Sequence, residues 1–130
     1  MATIKRFEDL ECWQEARKLV RLIYQVTNTT AFKKDYELVR QVRRSAVSSM
    51  ANIAEGFHRN SNKDFMRFLD YSRGSIAETL SHCYVALDQN YMAEAELSEI
   101  KEGADSVWIK VNNFLSYLKR ASKQQNNPNQ

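Results

Sequence analysis

The sequence contains very little proline, glycine and cysteine. One proline, Pro128, and three glycines in 130 residues supply few of the residues that tight turns require, which excludes an all-β fold built from many hairpins. The two cysteines, Cys12 and Cys83, match no metal-binding or redox spacing. Each falls on an apolar helical face, so we expect buried free thiols in a reducing compartment.

Long hydrophobic runs and catalytic motifs are also missing. No apolar run approaches the roughly 18 residues of a membrane-spanning helix, and residues 1–13 contain no signal-peptide hydrophobic region. We therefore expect a cytoplasmic protein with no membrane contact. There is no glycine-rich phosphate loop, no nucleophile elbow and no pair of carboxylates with a matching acid. These absences predict a protein that is not an enzyme, with no catalytic residues and no cofactor.

The histidines argue against a metal site. A di-iron site in a helical bundle needs a Glu-x-x-His pair on each of two helices and a glutamate from each of the other two. Glu55 and His58 form one such pair, at the end of a predicted helix. The other histidine, His82, follows Glu78 by four residues instead of three. Both ligand number and spacing fail, so we predict no metal ligands.

Apolar residues recur at steps of three and four along most of the chain, which is the periodicity of helices. The predicted helices run from about Asp9 (a candidate N-cap) to Asn28, Asp35 to His58, Lys63 to Gln89 and Ala93 to Ser122. Four such helices with short connections predict an all-α fold, an antiparallel up-down-up-down four-helix bundle. We expect one domain over residues 1–123 and a disordered polar tail over residues 124–130.

The second predicted helix carries two adjacent rows of residues. One row is apolar and comprises Val42, Ala46, Val47, Met50, Ile53, Ala54 and Phe57. The other, the polar stripe, comprises Gln41, Arg44, Ser48, Asn52 and Glu55. Such a stripe is typical of a hydrogen-bond network between helices or of a binding surface. We favour a network with Ser75 and Glu78, in which Arg44 faces Glu78 or Glu55. The reason is that Ser72, Gly74, Ser75 and Ala77 make the third helix thin enough for close approach.

Positive charge is concentrated in the first half of the chain. Residues 1–73 contain 14 Lys and Arg against 9 Asp and Glu, a net charge of +5, whereas residues 74–130 have a net charge of −2. A basic surface favours an anionic partner such as nucleic acid. The candidate contacts are Arg17, Lys18, Arg21, Arg40, Arg43, Arg59, Lys63 and Arg67. The alternative is a solvated surface of intrahelical ion pairs, for example Asp70 with Arg67 or Arg73.

The first helix has two neighbouring heptad rows, Cys12, Ala16, Leu19, Ile23 and Val26 on one side and Trp13, Val20, Tyr24 and Thr27 on the other. A helix of a monomeric bundle usually shows one. The second row therefore indicates that this helix buries another face, against a second subunit.

Several segments resemble a known family. They are FEDLECWQEARKL at residues 7–19, QVRRSAVSSMANIAEG at residues 41–56 and DFMRFLDYSRGSIAE at residues 64–78. The chain is similar to the four-helix-bundle proteins encoded in intervening sequences of bacterial 23S rRNA genes. It departs from their usual pattern at Lys33, Ser45, Met50 and Ala51, which affects loop stiffness and packing but leaves the polar stripe intact.

The resemblance implies a ring-like homopentamer. A distantly similar pentamer, the accessory protein of diversity-generating retroelements, binds reverse transcriptase and nucleic acid through a basic surface. We therefore expect a non-enzymatic oligomer that binds RNA or a ribonucleoprotein through basic helix faces. The alternative is a protein–protein scaffold or accessory subunit that makes no direct contact with nucleic acid.

Overall fold

The computed structural model describes residues 3–125, and side chains through Lys123. This part of the chain is helical and contains no strand. A short 3-10 helix, Phe7–Asp9, precedes five α-helices: α1 (Glu11–Thr27), α2 (Thr30–Lys33), α3 (Tyr36–Phe57), α4 (Asn62–Asp88) and α5 (Glu94–Gln125). The all-α prediction is confirmed. Of the predicted polar tail, residues 126–130 lie outside the described part, while α5 includes residues 124 and 125.

Side-chain caps set two of the helix starts. Asp35 accepts a hydrogen bond from the Leu38 amide at 3.1 Å, and Ser61 accepts one from the Asp64 amide at 3.1 Å. The expected cap of α1 is wrong: Asp9 belongs to the 3-10 helix, and the residue before α1 is Leu10, which has no capping side chain. Leu10 is instead buried in the core, so its side chain contributes apolar packing and no capping oxygen.

The short helix α2 lies where the sequence indicated only a turn. Its Phe32 is completely buried and stacks on Tyr91, with ring centroids 5.5 Å apart. The Tyr91 hydroxyl also donates a hydrogen bond to Asp35 at 3.1 Å. These contacts join the α4–α5 turn to the start of α3.

Each of the four long helices packs against two others: α1 and α4 each lie against both α3 and α5. The two apolar rows of α1 therefore have partners within the chain, with Trp13 and Val20 packed against the core and Thr27 buried. They do not require a second subunit. Only Tyr24 of the second row is largely exposed.

The α3–α4 interface contains four buried hydroxyl residues, Ser45, Ser49, Ser72 and Thr79, which we call the hydroxyl cluster. Ser72 donates to the carbonyl oxygen of Ser49 at 2.7 Å, and the hydroxyls of Ser45 and Thr79 are 2.8 Å apart. Small side chains with partners across the interface allow the two backbones to lie close together.

Gly56 serves the same close approach at the C-terminal end of α3. A Cβ at this position would lie 2.7 Å from Phe68 Cβ and 2.9 Å from Phe65 Cδ1. No larger residue fits there without moving α4. The hydroxyl cluster and Gly56 thus allow α3 and α4 to lie close together over residues 45–56 of α3.

Candidate nucleic-acid interface

The structure connects three members of the predicted polar network. Asn52 donates to the Ser48 hydroxyl at 3.0 Å, and Ser75 donates to the same hydroxyl at 3.0 Å. This small group bridges α3 and α4 at the edge of the hydroxyl cluster.

The other four predicted members have different neighbours. Gln41 donates to Glu37 at 3.1 Å, Glu55 pairs with Arg59 at 2.9 Å, and Glu78 lies 3.5 Å from His82 Nε2. Arg44 is exposed and has no carboxylate within 4 Å among the side chains described. The expected pairing of Arg44 with Glu78 or Glu55 is absent from this part of the chain, because Arg44 points to solvent and both acids have nearer partners.

Four of the predicted nucleic-acid contacts take part in ion pairs within a helix or at its end. Lys18 pairs with Glu15 at 3.2 Å, Arg40 with Glu37 at 3.1 Å and Arg67 with Asp64 at 3.4 Å. Arg59 pairs with Glu55, as described above. Exposed pairs of this kind contribute little to stability, so the cations remain available to another anion.

Three of the predicted residues meet near the α3–α4 turn, where they form what we call the turn cluster: Arg59, Lys63 and Arg67. The guanidinium carbons of Arg59 and Arg67 lie 4.6 Å and 5.6 Å from the centre of the Phe68 ring. Lys63 is exposed one helical turn away from Arg67. The turn cluster is therefore a small surface supported by a buried aromatic ring. Its three cations less the two paired acids, Glu55 and Asp64, give a net charge of +1.

On α1, the predicted contacts are more scattered. The Arg17 guanidinium lies 5.6 Å from the centre of the Trp13 ring, and Arg21 is exposed one turn further along. Neither lines the surface between α1 and α3 that contains Arg40 and Arg43.

Arg43 is held in place more firmly than the other predicted contacts. Its Nε donates to the Thr27 hydroxyl at 2.9 Å, and its guanidinium lies 4.5 Å from the centre of the Tyr24 ring. Thr27 in turn donates to the carbonyl oxygen of Ile23 at 2.7 Å. A cation–π contact and a hydrogen bond to a buried side chain thus fix the position of this charge.

The surface around Arg43 is an open groove between α1 and α3. We call it the α1–α3 groove, and its lining residues are Tyr24, Tyr36, Val39, Arg40, Arg43, Arg44 and Val47. Tyr36 is 82% exposed and Tyr24 is 43% exposed. Neither tyrosine was predicted from the sequence to be a site residue. The signal that could have identified them was their position near arginines on predicted helices.

The described residues give little support for a metal site, a reactive thiol or a membrane-spanning helix. Within residues 3–123, no three His, Cys, Asp or Glu side chains are placed to share a metal ion. The two thiols are free and buried, and burial raises the pKa of Cys12 to about 11 and that of Cys83 to about 12. Among helices of residues 3–125, none is both long and apolar enough to cross a membrane.

The fold and this surface define a small all-helical protein with basic and aromatic helix faces. The family model described as 23S rRNA-intervening sequence protein matches residues 8–113, so the chain belongs to this family. The fold also resembles the 1.70 Å crystal structure of a protein of unknown function from the S23 ribosomal protein family of Bacteroides thetaiotaomicron VPI-5482. The TM-score is 0.72 at 18% identity, covering 80% of this chain and 97% of the other. No curated protein matches the sequence.

Proposed function

We propose that this protein is a non-enzymatic oligomer that binds RNA, free or within a ribonucleoprotein, through its basic helix faces. The observation that carries the proposal is the α1–α3 groove, where Arg40, Arg43 and Arg44 lie beside two exposed tyrosines. Arginine recognises phosphate, and aromatic rings stack on bases. The turn cluster provides a second basic surface for the same ligand.

The arrangement of the helices fits this role. We propose that α1, α3, α4 and α5 form an antiparallel up-down-up-down bundle. Support comes from the packing of each long helix against two others and from the short connections of residues 58–61 and 89–93. The two free buried cysteines suit a reducing compartment, and we propose the cytoplasm.

Self-assembly into a ring-like homopentamer is part of the proposal. Its support is the family resemblance together with the large apolar side chains that remain exposed, including Tyr71, Val85, Ile109 and Tyr117. A ring would repeat each basic surface, and repeated weak contacts raise avidity without any new chemistry.

A protein scaffold without nucleic-acid contact is the second candidate. Tyrosine and arginine are also the residues that dominate protein–protein interfaces, so the α1–α3 groove suits a protein partner as well. Capturing partners from lysate with and without nuclease distinguishes the two: a protein partner that survives nuclease treatment favours the scaffold.

The main test is RNA binding at low salt. We expect a mobility shift with structured 23S rRNA fragments, and the logarithm of the binding constant should fall linearly with the logarithm of the salt concentration. Light scattering at micromolar protein concentration gives the assembly size against a chain mass of 15.2 kDa. Absence of any shift at low salt removes the RNA proposal, and a 15.2 kDa particle removes the oligomer.

A further inference from the structure

We propose that the α1–α3 groove is a site for single-stranded RNA, in which one unpaired base stacks on Tyr36, a second packs against Tyr24, and Arg40, Arg43 and Arg44 hold the phosphates. This inference rests on the RNA binding proposed above and specifies its surface and the kind of strand. It differs from that proposal in excluding base-paired RNA as the preferred ligand.

Tyr36 is the first residue of α3 and one of the most exposed large side chains of the described chain. No aromatic ring or cation of residues 3–123 stacks on it. An aromatic ring left open beside arginines is a ready platform for a base, since every base has a π-face. Tyr24 lies across the groove and offers a second ring, of which one side is covered by Arg43.

The guanidinium of Arg43 is held in position before any phosphate binds. Only its Nε is hydrogen-bonded to a side chain within residues 3–123, at Thr27, so its terminal nitrogens face no protein acceptor there. Binding a phosphate then costs little side-chain entropy, because the stacking on Tyr24 and the bond to Thr27 have ordered the guanidinium beforehand.

The positive charge of the groove favours an anionic ligand. Three arginines and no acid of the described residues line it. Asp35 and Glu37 lie beside Tyr36 at one end, and Glu37 accepts hydrogen bonds from Gln41 at 3.1 Å and from Arg40 at 3.1 Å. These two bonds hold the pKa of Glu37 below its ordinary value. Its carboxylate is paired with Arg40, which leaves Arg43 and Arg44 without an ion-pair partner in the described part of the chain. The remaining positive charge is complementary to a phosphate backbone.

The two tyrosines favour single-stranded over base-paired RNA. In a duplex each base face is covered by its neighbours, and the major groove of A-form RNA is too deep and narrow for side chains to read. A ring that projects from a helix surface, as Tyr36 does, therefore reaches base faces only where the strand is unpaired. The groove extends from Tyr36 to Val47 along α3, roughly 17 Å at the helical rise, which a few nucleotides span.

The test compares fluorescence anisotropy of a labelled 12-nucleotide RNA of mixed, non-self-complementary sequence with that of the same strand in a blunt duplex. We expect the single strand to bind at least tenfold more tightly at the same low salt. Tyr36→Ala should weaken single-strand binding by roughly 5- to 150-fold, as loss of one stacked base does, and Tyr36→Phe should retain it. Replacing Arg40 and Arg44 with Ala should lower the salt slope by about 0.7 for each lost phosphate contact.

Tyr84→Ala is the matched control. Tyr84 is 45% exposed on α4 and lies 5.9 Å from a cation, Lys101, so it imitates the tyrosine–cation pair on another face. Binding should be unchanged in this variant, and circular dichroism confirms that each variant is folded.

The outcomes separate the two proposals. If the wild-type protein binds RNA but Tyr36→Ala binds it equally well, or if the duplex binds as tightly as the single strand, this inference is overturned while the proposed function stands. If no RNA binds, both fail. If the Arg40 and Arg44 variants lose a protein partner or self-association while RNA affinity is unchanged, the groove is a protein-docking surface and the inference is again overturned.

Discussion

The side-chain hydroxyls of Ser45 and Thr79 lie 2.8 Å apart in the buried interface between α3 and α4. Each hydroxyl also lies within hydrogen-bond distance of a carbonyl oxygen of its own helix, Ser45 at 3.1 Å from Val42 and Thr79 at 2.9 Å from Ser75. Since each hydroxyl has one proton, one of them donates to its carbonyl and accepts the hydrogen bond that the other donates. The two residues therefore form a polar contact within the hydroxyl cluster, and neither is left without a partner.

We expect Ser45→Ala and Thr79→Val each to lower the free energy of unfolding by about 1 kcal/mol, the usual net value of one hydrogen bond. The double variant should lose less unfolding free energy than the sum of the two single losses, because the second substitution removes a hydroxyl whose partner is already missing. Chemical denaturation of all four proteins at one protein concentration measures the coupling. Strict additivity would show that the two hydroxyls do not stabilise each other.

The glycines of α3 and α4 should respond to alanine in opposite ways. Gly56→Ala places a Cβ within 2.7 Å of Phe68 and should reduce stability by about 1 to 3 kcal/mol through overpacking. A Cβ at the exposed Gly74 would meet no atom within 4 Å, so Gly74→Ala should increase stability by up to about 1 kcal/mol through helix propensity. Thermal unfolding of the two variants gives the comparison, and equal effects would refute the role of Gly56.

Two adjacent arginines should also differ. Arg43→Leu removes the bond to Thr27 and the stacking on Tyr24, and we expect a loss of about 1 to 2 kcal/mol in unfolding free energy. Arg44→Leu removes an exposed side chain without an ion-pair partner in the described chain, so stability should change by less than about 0.5 kcal/mol. Urea titrations check both. A large loss for Arg44→Leu would mean that this residue has a partner in the assembled protein.

The two thiols should be inert in the folded protein. Burial raises the pKa of both Cys12 and Cys83 above the ordinary value of 9.0, so at pH 8 almost no thiolate is present for alkylation. We expect slow labelling by iodoacetamide under native conditions and complete labelling in guanidinium. A raised pKa also means that the contribution of these thiols to stability is complete below about pH 9 and is lost at higher pH. Rapid native labelling of either residue would contradict its burial.

The sequence was sufficient to predict the four long helices, because the apolar periodicity of each extends over many turns. Their observed ends lie within about three residues of the expected ones, with the largest differences at the start of α1 and the end of α5. The helix α2 was missed because four residues are too few to show a period, and the burial of Phe32 that accompanies it depends on Tyr91, which is distant in the sequence.

The buried face of α3 was predicted less completely. The apolar row assigned to α3 included Val47, which is exposed, and omitted Ser45 and Ser49, which are buried. The reason is that hydroxyl residues can be buried when they bond to a carbonyl of their own helix, so polarity alone did not mark the outer face. The signal was the spacing, since Val42, Ser45, Ser49 and Ile53 follow one another at steps of three and four.

Only some contacts of the basic residues could be predicted from the sequence. Ion pairs such as Arg40 with Glu37 follow from helical spacing alone, whereas the contact of Arg43 with Thr27 joins residues that are 16 positions apart. Only the packing of α1 against α3 brings them together, and the α1–α3 groove therefore became recognisable only in the structure.

The short connection between α3 and α4 has a consequence for the order of folding. Residues 58–61 close a small loop, so the entropy lost when these two helices meet is low, and the contacts between them are the most extensive of the described chain. We expect this helical hairpin to form before α1 and α5 dock on it. Native-state hydrogen exchange should then find the slowest amides in the middle of α3 and α4, around Ser49 and Ser72, and faster exchange toward the end of α5.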